Sequence, residues 1–147
     1  MGVEIERKFL VKDESYKKLS NKQIKIQQGY LNRDPERTVR VRTCDSRGFV
    51  TIKGKTVGTT RLEFEYEVPL QDAQKMLALC IPPILSKTRY IVVGTDQLIW
   101  EVDEFHGDRA GLTVAEIELN KEDQLFSIPY FIGIEVTGDP RFYNSNL

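Results

Sequence analysis

Residues 38–68 read TVRVRTCDSRGFVTIKGKTVGTTRLEFEYEV, and apolar and polar side chains alternate through three parts of this stretch, 38–43, 49–55 and 61–68. A period of two is the signature of strands with one apolar face. Asp45-Ser46-Arg47-Gly48 joins the first two as a hairpin turn, and the loop Gly58-Thr59-Thr60 leads to the third. Pro69, which has no N–H to give to a ladder, ends it. Outward from this stretch the same alternation places strands at 3–11 and 23–31 upstream, and at 84–93, 98–105 and 113–119 downstream, which makes eight. A shorter extended piece follows at 133–137. Asp13 and Glu14 open a short helix that runs to Leu19. Helical spacing over 70–79 sets Leu70, Ala73, Met76, Leu77 and Cys80 on one stripe before Pro82-Pro83 stops it. The predicted class is mainly β (α+β): an eight-stranded antiparallel β-barrel, residues 1–147 forming one domain, with a few helices covering its outside.

Composition narrows the function. The 147 residues are 40% hydrophobic and 29% charged, the balance of a soluble globular chain rather than a disordered or membrane-spanning one. With 21 basic and 22 acidic side chains the net charge is -1, so no global field draws the protein to nucleic acid or to an anionic membrane. The charged N-terminus MGVEIERKFLV lacks the apolar run of a secretory signal, and a cytoplasmic location is expected. Cys44 and Cys80 are too few and too far apart for a disulfide scaffold or a zinc knuckle. The single histidine, His106, excludes histidine-rich metal sites and argues against a catalytic triad.

Side chains of one parity share one face of a strand, so the charged face can be read directly. Glu4, Glu6 and Lys8 share a face in the first strand; Arg40 and Arg42, then Lys53, do so in the middle hairpin; Glu63, Glu65 and Glu67 follow. Lys87 and Arg89, Glu101 and Asp103, and finally Glu116 and Glu118 complete the series. A solvated face mixes signs with Thr, Ser and Gln, because like charges at i and i+2 repel. Here one sign repeats along nearly every strand, an arrangement that calls for ligands of opposite charge. Forked guanidiniums and ammoniums suit phosphate oxygens, whereas paired E-x-E carboxylates are an oxygen-only set suited to Mg²⁺ or Mn²⁺. Periodicity does not decide whether the charged face is turned inward around such ligands or outward to water.

These segments resemble a known family. Glu4-Ile5-Glu6-Arg7-Lys8 is similar to the E-x-E-x-K signature of the CYTH superfamily, the triphosphate tunnel metalloenzymes. Arg40-Val41-Arg42, Thr51-Ile52-Lys53, Glu63-Phe64-Glu65, Lys87-Thr88-Arg89, Glu101-Val102-Asp103 and Glu116-Ile117-Glu118 follow in the family's order, and the ending Gly133–Thr137 with Asn144 and Leu147 resembles its compact bacterial branch. The resemblance implies a barrel whose tunnel binds triphosphates with divalent metal, Mg²⁺ or Mn²⁺. It implies that Lys8, Arg40, Arg42, Lys53, Lys87 and Arg89 contact phosphate oxygens and that Glu4, Glu6, Glu63, Glu116 and Glu118 hold metal. Lys8, Glu65 and Asp103 would then act on the reacting groups.

The expected activity is metal-dependent hydrolysis of a triphosphate, with inorganic tripolyphosphate preferred and released as phosphate and pyrophosphate. A class IV adenylate cyclase acting on ATP is the alternative, for which Tyr30, Phe49, Tyr66 and Trp100 are the aromatic candidates for an adenine pocket; a non-catalytic polyphosphate or nucleotide binder is a third. The partner is a small-molecule triphosphate, with no nucleic acid and no membrane. The oligomeric state stays open, a homodimer being one alternative.

Overall fold

The computed structural model describes residues 2–147 and turns the alternating segments into β1 (Val3–Val11), β2 (Lys22–Asn32), β3 (Arg37–Cys44), β4 (Arg47–Gly54), β5 (Thr60–Val68), β6 (Ile81–Val93), β7 (Ile99–Phe105), β8 (Thr113–Glu118) and β9 (Ile132–Glu135), with helices α1 (Tyr16–Leu19) and α2 (Leu70–Leu77). All pairings are antiparallel in the order β5-β4-β3-β2-β6-β7-β8-β1, and β1 returns to β5, so eight strands close a barrel. The closing seam is short. It joins Val3, Glu4 and Ile5 to Leu62, Arg61 and Thr60, extended by the Glu6 N–H donating to the Thr59 carbonyl and the Glu63 N–H to the Gly2 carbonyl. The later half of β1 leaves β5 and takes β9 as its neighbour instead, through Phe9↔Glu135 and Val11↔Ile132.

The charged parity faces inward, the inverse of the usual small barrel. Its apolar partners therefore point outward and need cover, which comes from two sources. Helix α2 lays Ala73 and Leu77 over Val41, and it lies so close to β4 that a Cβ on Gly48 would stand 2.6 Å from that of Ala73. Gly48 is therefore a packing glycine inside β4, and the hairpin turn is only Asp45-Ser46, with Asp45 at φ 51. On the opposite side Phe9, Trp100, Val102 and Ile117 are covered by Tyr16 of α1 and by Phe126 and Phe131 from the connection into β9. Cover by helices alone was the expectation; a non-helical strap supplies half of it. The outward residues Val3, Leu62, Phe64 and Tyr66 along the closing seam have no cover and remain exposed.

Helix α2 ends at Leu77, two residues early, and β6 begins at Ile81, so Pro82-Pro83 lies within a strand rather than after a helix. Proline is tolerated there because β2 slips register between Gln28 and Tyr30, which frees the missing donors from the ladder. The inward parity turns apolar at one end of the barrel. Leu85, Phe105 and Val114, two positions along from Lys87, Asp103 and Glu116, form a cluster that Leu112 and the C-terminal Leu147 join. No helix among the described residues is long and apolar enough to cross a membrane.

Candidate active site

With the charged parity inside, the barrel encloses a cavity of about 210 Å³. Its wall carries seven cations, Lys8, Arg40, Arg42, Lys53, Arg61, Lys87 and Arg89, and seven carboxylates, Glu4, Glu6, Glu63, Glu65, Glu101, Glu116 and Glu118. Twelve of the thirteen residues expected at the site from the sequence line or face this cavity: Lys8, Arg40, Arg42, Lys53, Lys87, Arg89, Glu4, Glu6, Glu63, Glu65, Glu116 and Glu118. The thirteenth, Asp103, is 2% exposed and lies behind the wall, where it accepts from Arg89 Nε and Nη2 at 2.8 and 2.9 Å and pairs with Lys87 Nζ at 2.7 Å.

Strand register explains the pairings. Lys53 sits opposite Glu63 on β5, the strand that separates it from Glu4 on β1, with Nζ at 3.1 Å from Glu4 and 3.2 Å from Glu63. Lys8 sits opposite Glu116, its Nζ at 3.7 Å, and donates to the Phe142 carbonyl at 3.0 Å. Arg40 and Arg42 share Glu65 at 3.4 and 3.1 Å, while the buried Nε–H of each has no acceptor. Donors left without partners in a cationic wall suit anionic oxygens.

The carboxylates are crowded enough to hold protons. Burial drives Glu4 up to about 7 against the pull of Lys53, and burial together with Glu116 and Glu4 holds Glu6 well above the usual carboxylate range. Burial and then Glu4 and Glu101 raise Glu118. Their neighbours respond oppositely: burial would raise Glu116 and Glu63, but Lys8 beside Glu116, and proton sharing with Glu4 and the charge of Lys53 at Glu63, bring both down. Glu4 with Glu63, and Glu6 with Glu116, thus behave as carboxylate pairs that each share a proton. Burial is likewise overcome at Asp103, which Arg89 and Lys87 lower to about 2, whereas burial outweighs Asp103 at Lys87 and lowers it to about 8.

A hard divalent cation fits this donor set by its chemistry, since it can take the place of the shared protons among oxygen-only ligands. Among the described residues no three side chains converge as a ready-made ligand group, so the carboxylates would have to draw together around it.

Sequence reasoning missed several wall residues. Thr38 and Arg61 share the inward parity of Arg40 and Glu63, and extending that parity one step along β3 and β5 would have found them. Tyr143, Asn144 and Ser145 carry no periodic signal; Tyr143 joins two 3₁₀ turns, Pro140–Phe142 and Asn144–Asn146, and the other two lie in the second. Asn144 Oδ1 accepts from Gln28 Nε2 at 2.9 Å and from Lys87 Nζ at 3.1 Å, and Arg109 clamps the Leu147 carbonyl oxygen at 2.7 Å. The C-terminal segment therefore caps the apolar end of the cavity. Of the four aromatic candidates, Trp100 is in the outer core and Tyr66 is exposed on the outside. Tyr30 lines the cavity, and the guanidinium carbons of Arg42 and Arg47 lie 5.9 and 5.2 Å from the Phe49 ring centre. Arg7, on the outward parity, pairs with Glu135 at 2.6 Å, and Glu67 pairs with Arg47 at the surface.

Residues 2–143 match the family model of the CYTH domain. The chain is 47% identical over 148 residues to an inorganic triphosphatase of Acetivibrio thermocellus, covering 100% of this chain and 94% of the relative, and 32% identical over 147 residues to one of Nitrosomonas europaea, covering 98% and 95%. It is also similar to the solved structure of the inorganic triphosphatase NE1496, with a TM-score of 0.68, 30% identity, and coverage of 97% of this chain and 92% of that one.

Proposed function

The chain belongs to the CYTH domain family, and on that premise we propose that it is a divalent-metal-dependent hydrolase of triphosphates, with inorganic tripolyphosphate as substrate and phosphate and pyrophosphate as products. One observation carries the reading: cations, two of them with buried donors that lack acceptors, and paired carboxylates line one cavity. A polyphosphate alone would be repelled by the carboxylates, and a metal ion alone by the cations. The two together suit the wall.

In this reading Lys8, Arg40, Arg42 and Lys53 exchange their carboxylate partners for phosphate oxygens, while Lys87 and Arg89 meet phosphate with Asp103 still behind them, and together they orient the chain and neutralise charge that grows on the leaving group. Glu4, Glu6, Glu63, Glu116 and Glu118 are the residues that would hold Mg²⁺ or Mn²⁺. When bound, the metal supplies Lewis-acid polarisation of the phosphoryl group and lowers the proton affinity of water. Glu65, kept ionised by Arg42, Thr51 and Arg40 against its burial, is an acceptor suited to orienting the attacking water. Asp103 acts through others: it fixes Lys87 and Arg89 in the wall and is a positioning residue.

Incubation with tripolyphosphate or ATP and Mg²⁺ or Mn²⁺, followed by separation of phosphate, pyrophosphate and cyclic AMP, tests the proposal. Phosphate and pyrophosphate from tripolyphosphate, lost in chelator, are expected. Cyclic AMP from ATP would replace this reading with a cyclase, and tight binding without turnover in any metal would replace it with a sensor.

A further inference from the structure

Six of the seven cations on the cavity wall face carboxylates in this structure. Lys8 faces Glu116, Arg40 and Arg42 face Glu65, Lys53 faces Glu4 and Glu63, and Lys87 and Arg89 face Asp103. The seventh, Arg61, makes no ion pair among the described residues, although strand register sets it beside Glu4. Its guanidinium crosses β4 and is held by neutral acceptors only: Nε donates to the Gly54 carbonyl at 3.0 Å and Nη2 to Thr38 Oγ1 at 3.3 Å. A guanidinium has five N–H donors, so three remain unused on a charge that is already fixed in place. Arg61 also lies toward the Glu4 end of β1, away from the end filled by Leu85, Phe105, Val114 and the C-terminal segment.

We propose that Arg61 is a substrate-capturing residue, which grips a terminal phosphate oxygen at the open end of the cavity before the deeper cations release their carboxylates. The inference rests on the triphosphatase reading. A cation without an internal partner binds an incoming anion without first breaking an ion pair. Its contribution is present on first contact and persists through the reaction, which makes it uniform binding: its loss raises KM and leaves kcat unchanged. A role confined to pinning β4 to β5 would instead change stability and leave KM alone.

The test uses Arg61→Gln, which removes the charge and keeps a donor for Gly54, and Arg61→Lys, which keeps the charge. With tripolyphosphate and Mg²⁺, R61Q is expected to raise KM about tenfold with kcat within about twofold of wild type, in line with loss of one charge-assisted hydrogen bond. The fall of kcat/KM with added salt should become shallower, and R61K should recover most of the lost KM. Unchanged KM in both variants would overturn the proposal. Should R61Q fail to fold, Thr38→Val loosens the same guanidinium, with a KM increase of roughly threefold expected and an unchanged KM overturning the idea. Calorimetric titration with tripolyphosphate separates this claim from the hydrolase reading. A wild-type protein that binds without turnover would sink only the latter, provided that R61Q still loses affinity. A wild-type protein that neither binds nor turns over tripolyphosphate would overturn both.

Discussion

Removing the negative charge at Glu4 should stabilise the metal-free protein at neutral pH and do much less at pH 5. The Glu4 carboxyl is raised by burial from 4.5 to about 7. Between those values the folded chain holds a proton that the unfolded chain has lost, so stability falls as pH rises through this window. At about 1.36 kcal/mol per unit the full loss is about 3 kcal/mol, of which about 2 kcal/mol falls between pH 5 and 7.5. Glu6 and Glu118 are raised as well and add to the same slope, whereas Lys87, lowered by burial to about 8, acts only above that pH and with the opposite sign. Glu4→Gln keeps an acceptor for Lys53, which also retains Glu63 at 3.2 Å, so the variant isolates the charge. Urea melts in chelator, followed by fluorescence of Trp100, the sole tryptophan and 0% exposed, read the effect directly. Glu4→Gln should exceed wild type by about 2 kcal/mol more at pH 7.5 than at pH 5, a Tm difference of about 4–8 °C. Saturating Mg²⁺ or Mn²⁺ should close the gap by stabilising wild type more than the variant. A metal-free wild type as stable at pH 7.5 as at pH 5, or a variant with the same slope, would refute the crowded-carboxylate account.

Metal affinity of the wild type, titrated by calorimetry, should rise as pH climbs through 7, because the protons on Glu4 and Glu6 compete with the cation; a flat profile would count against it. Asp103→Asn leaves Lys87 and Arg89 without their buried partner and should cost about 3–5 kcal/mol in a denaturant melt, part of it restored by tripolyphosphate. Glu116→Gln should lower kcat to a few per cent of wild type or less, on the order of the loss of a metal-site contribution, while Lys53→Ala should mainly raise KM; steady-state assays showing the reverse would upset those roles. Asn144→Ala removes one neutral and one charge-assisted hydrogen bond, from the buried Gln28 and Lys87, and should lower kcat several-fold while costing about 2–4 kcal/mol in a denaturant melt.

Much of this architecture was legible because inverted barrels write their chemistry in strand parity. Glu4, Glu6 and Lys8 alternate with Ile5, Arg7 and Phe9, and only the sign repeated at i and i+2 separates a ligand-lined interior from a solvated face. Arg61 was missed because it stands near the start of a strand whose other residues of that parity are Glu63, Glu65 and Glu67, so it broke the single-sign texture that drew attention to them. Asp103 has the right parity and the wrong depth: alternation tells which way a side chain points, but whether it reaches the cavity depends on what stands before it, here Lys87 and Arg89. The C-terminal segment was illegible for a third reason. Its place is set by long-range contacts, the Arg109 clamp on Leu147 and the packing of Leu147 with Leu85 and Phe105, and nothing local in Asn144-Ser145-Asn146 encodes them.

The equal numbers of cations and carboxylates on the wall bear on how the site is occupied. Six of those cations pair with carboxylates, in surroundings where a low dielectric makes an unmatched charge costly. Polyphosphate arriving alone would take Lys53 or Lys8 away from Glu4, Glu63 or Glu116 and leave those carboxylates unpaired beside more negative charge. Metal arriving alone would remove the carboxylates from the cations and leave these unmatched. On the proposed reading each ligand would repair the imbalance that the other creates, and by linkage each would tighten the other's binding by the same factor. Coupling of this kind would let the wall side chains pair with one another and open those pairs when both halves of the reactive complex bind.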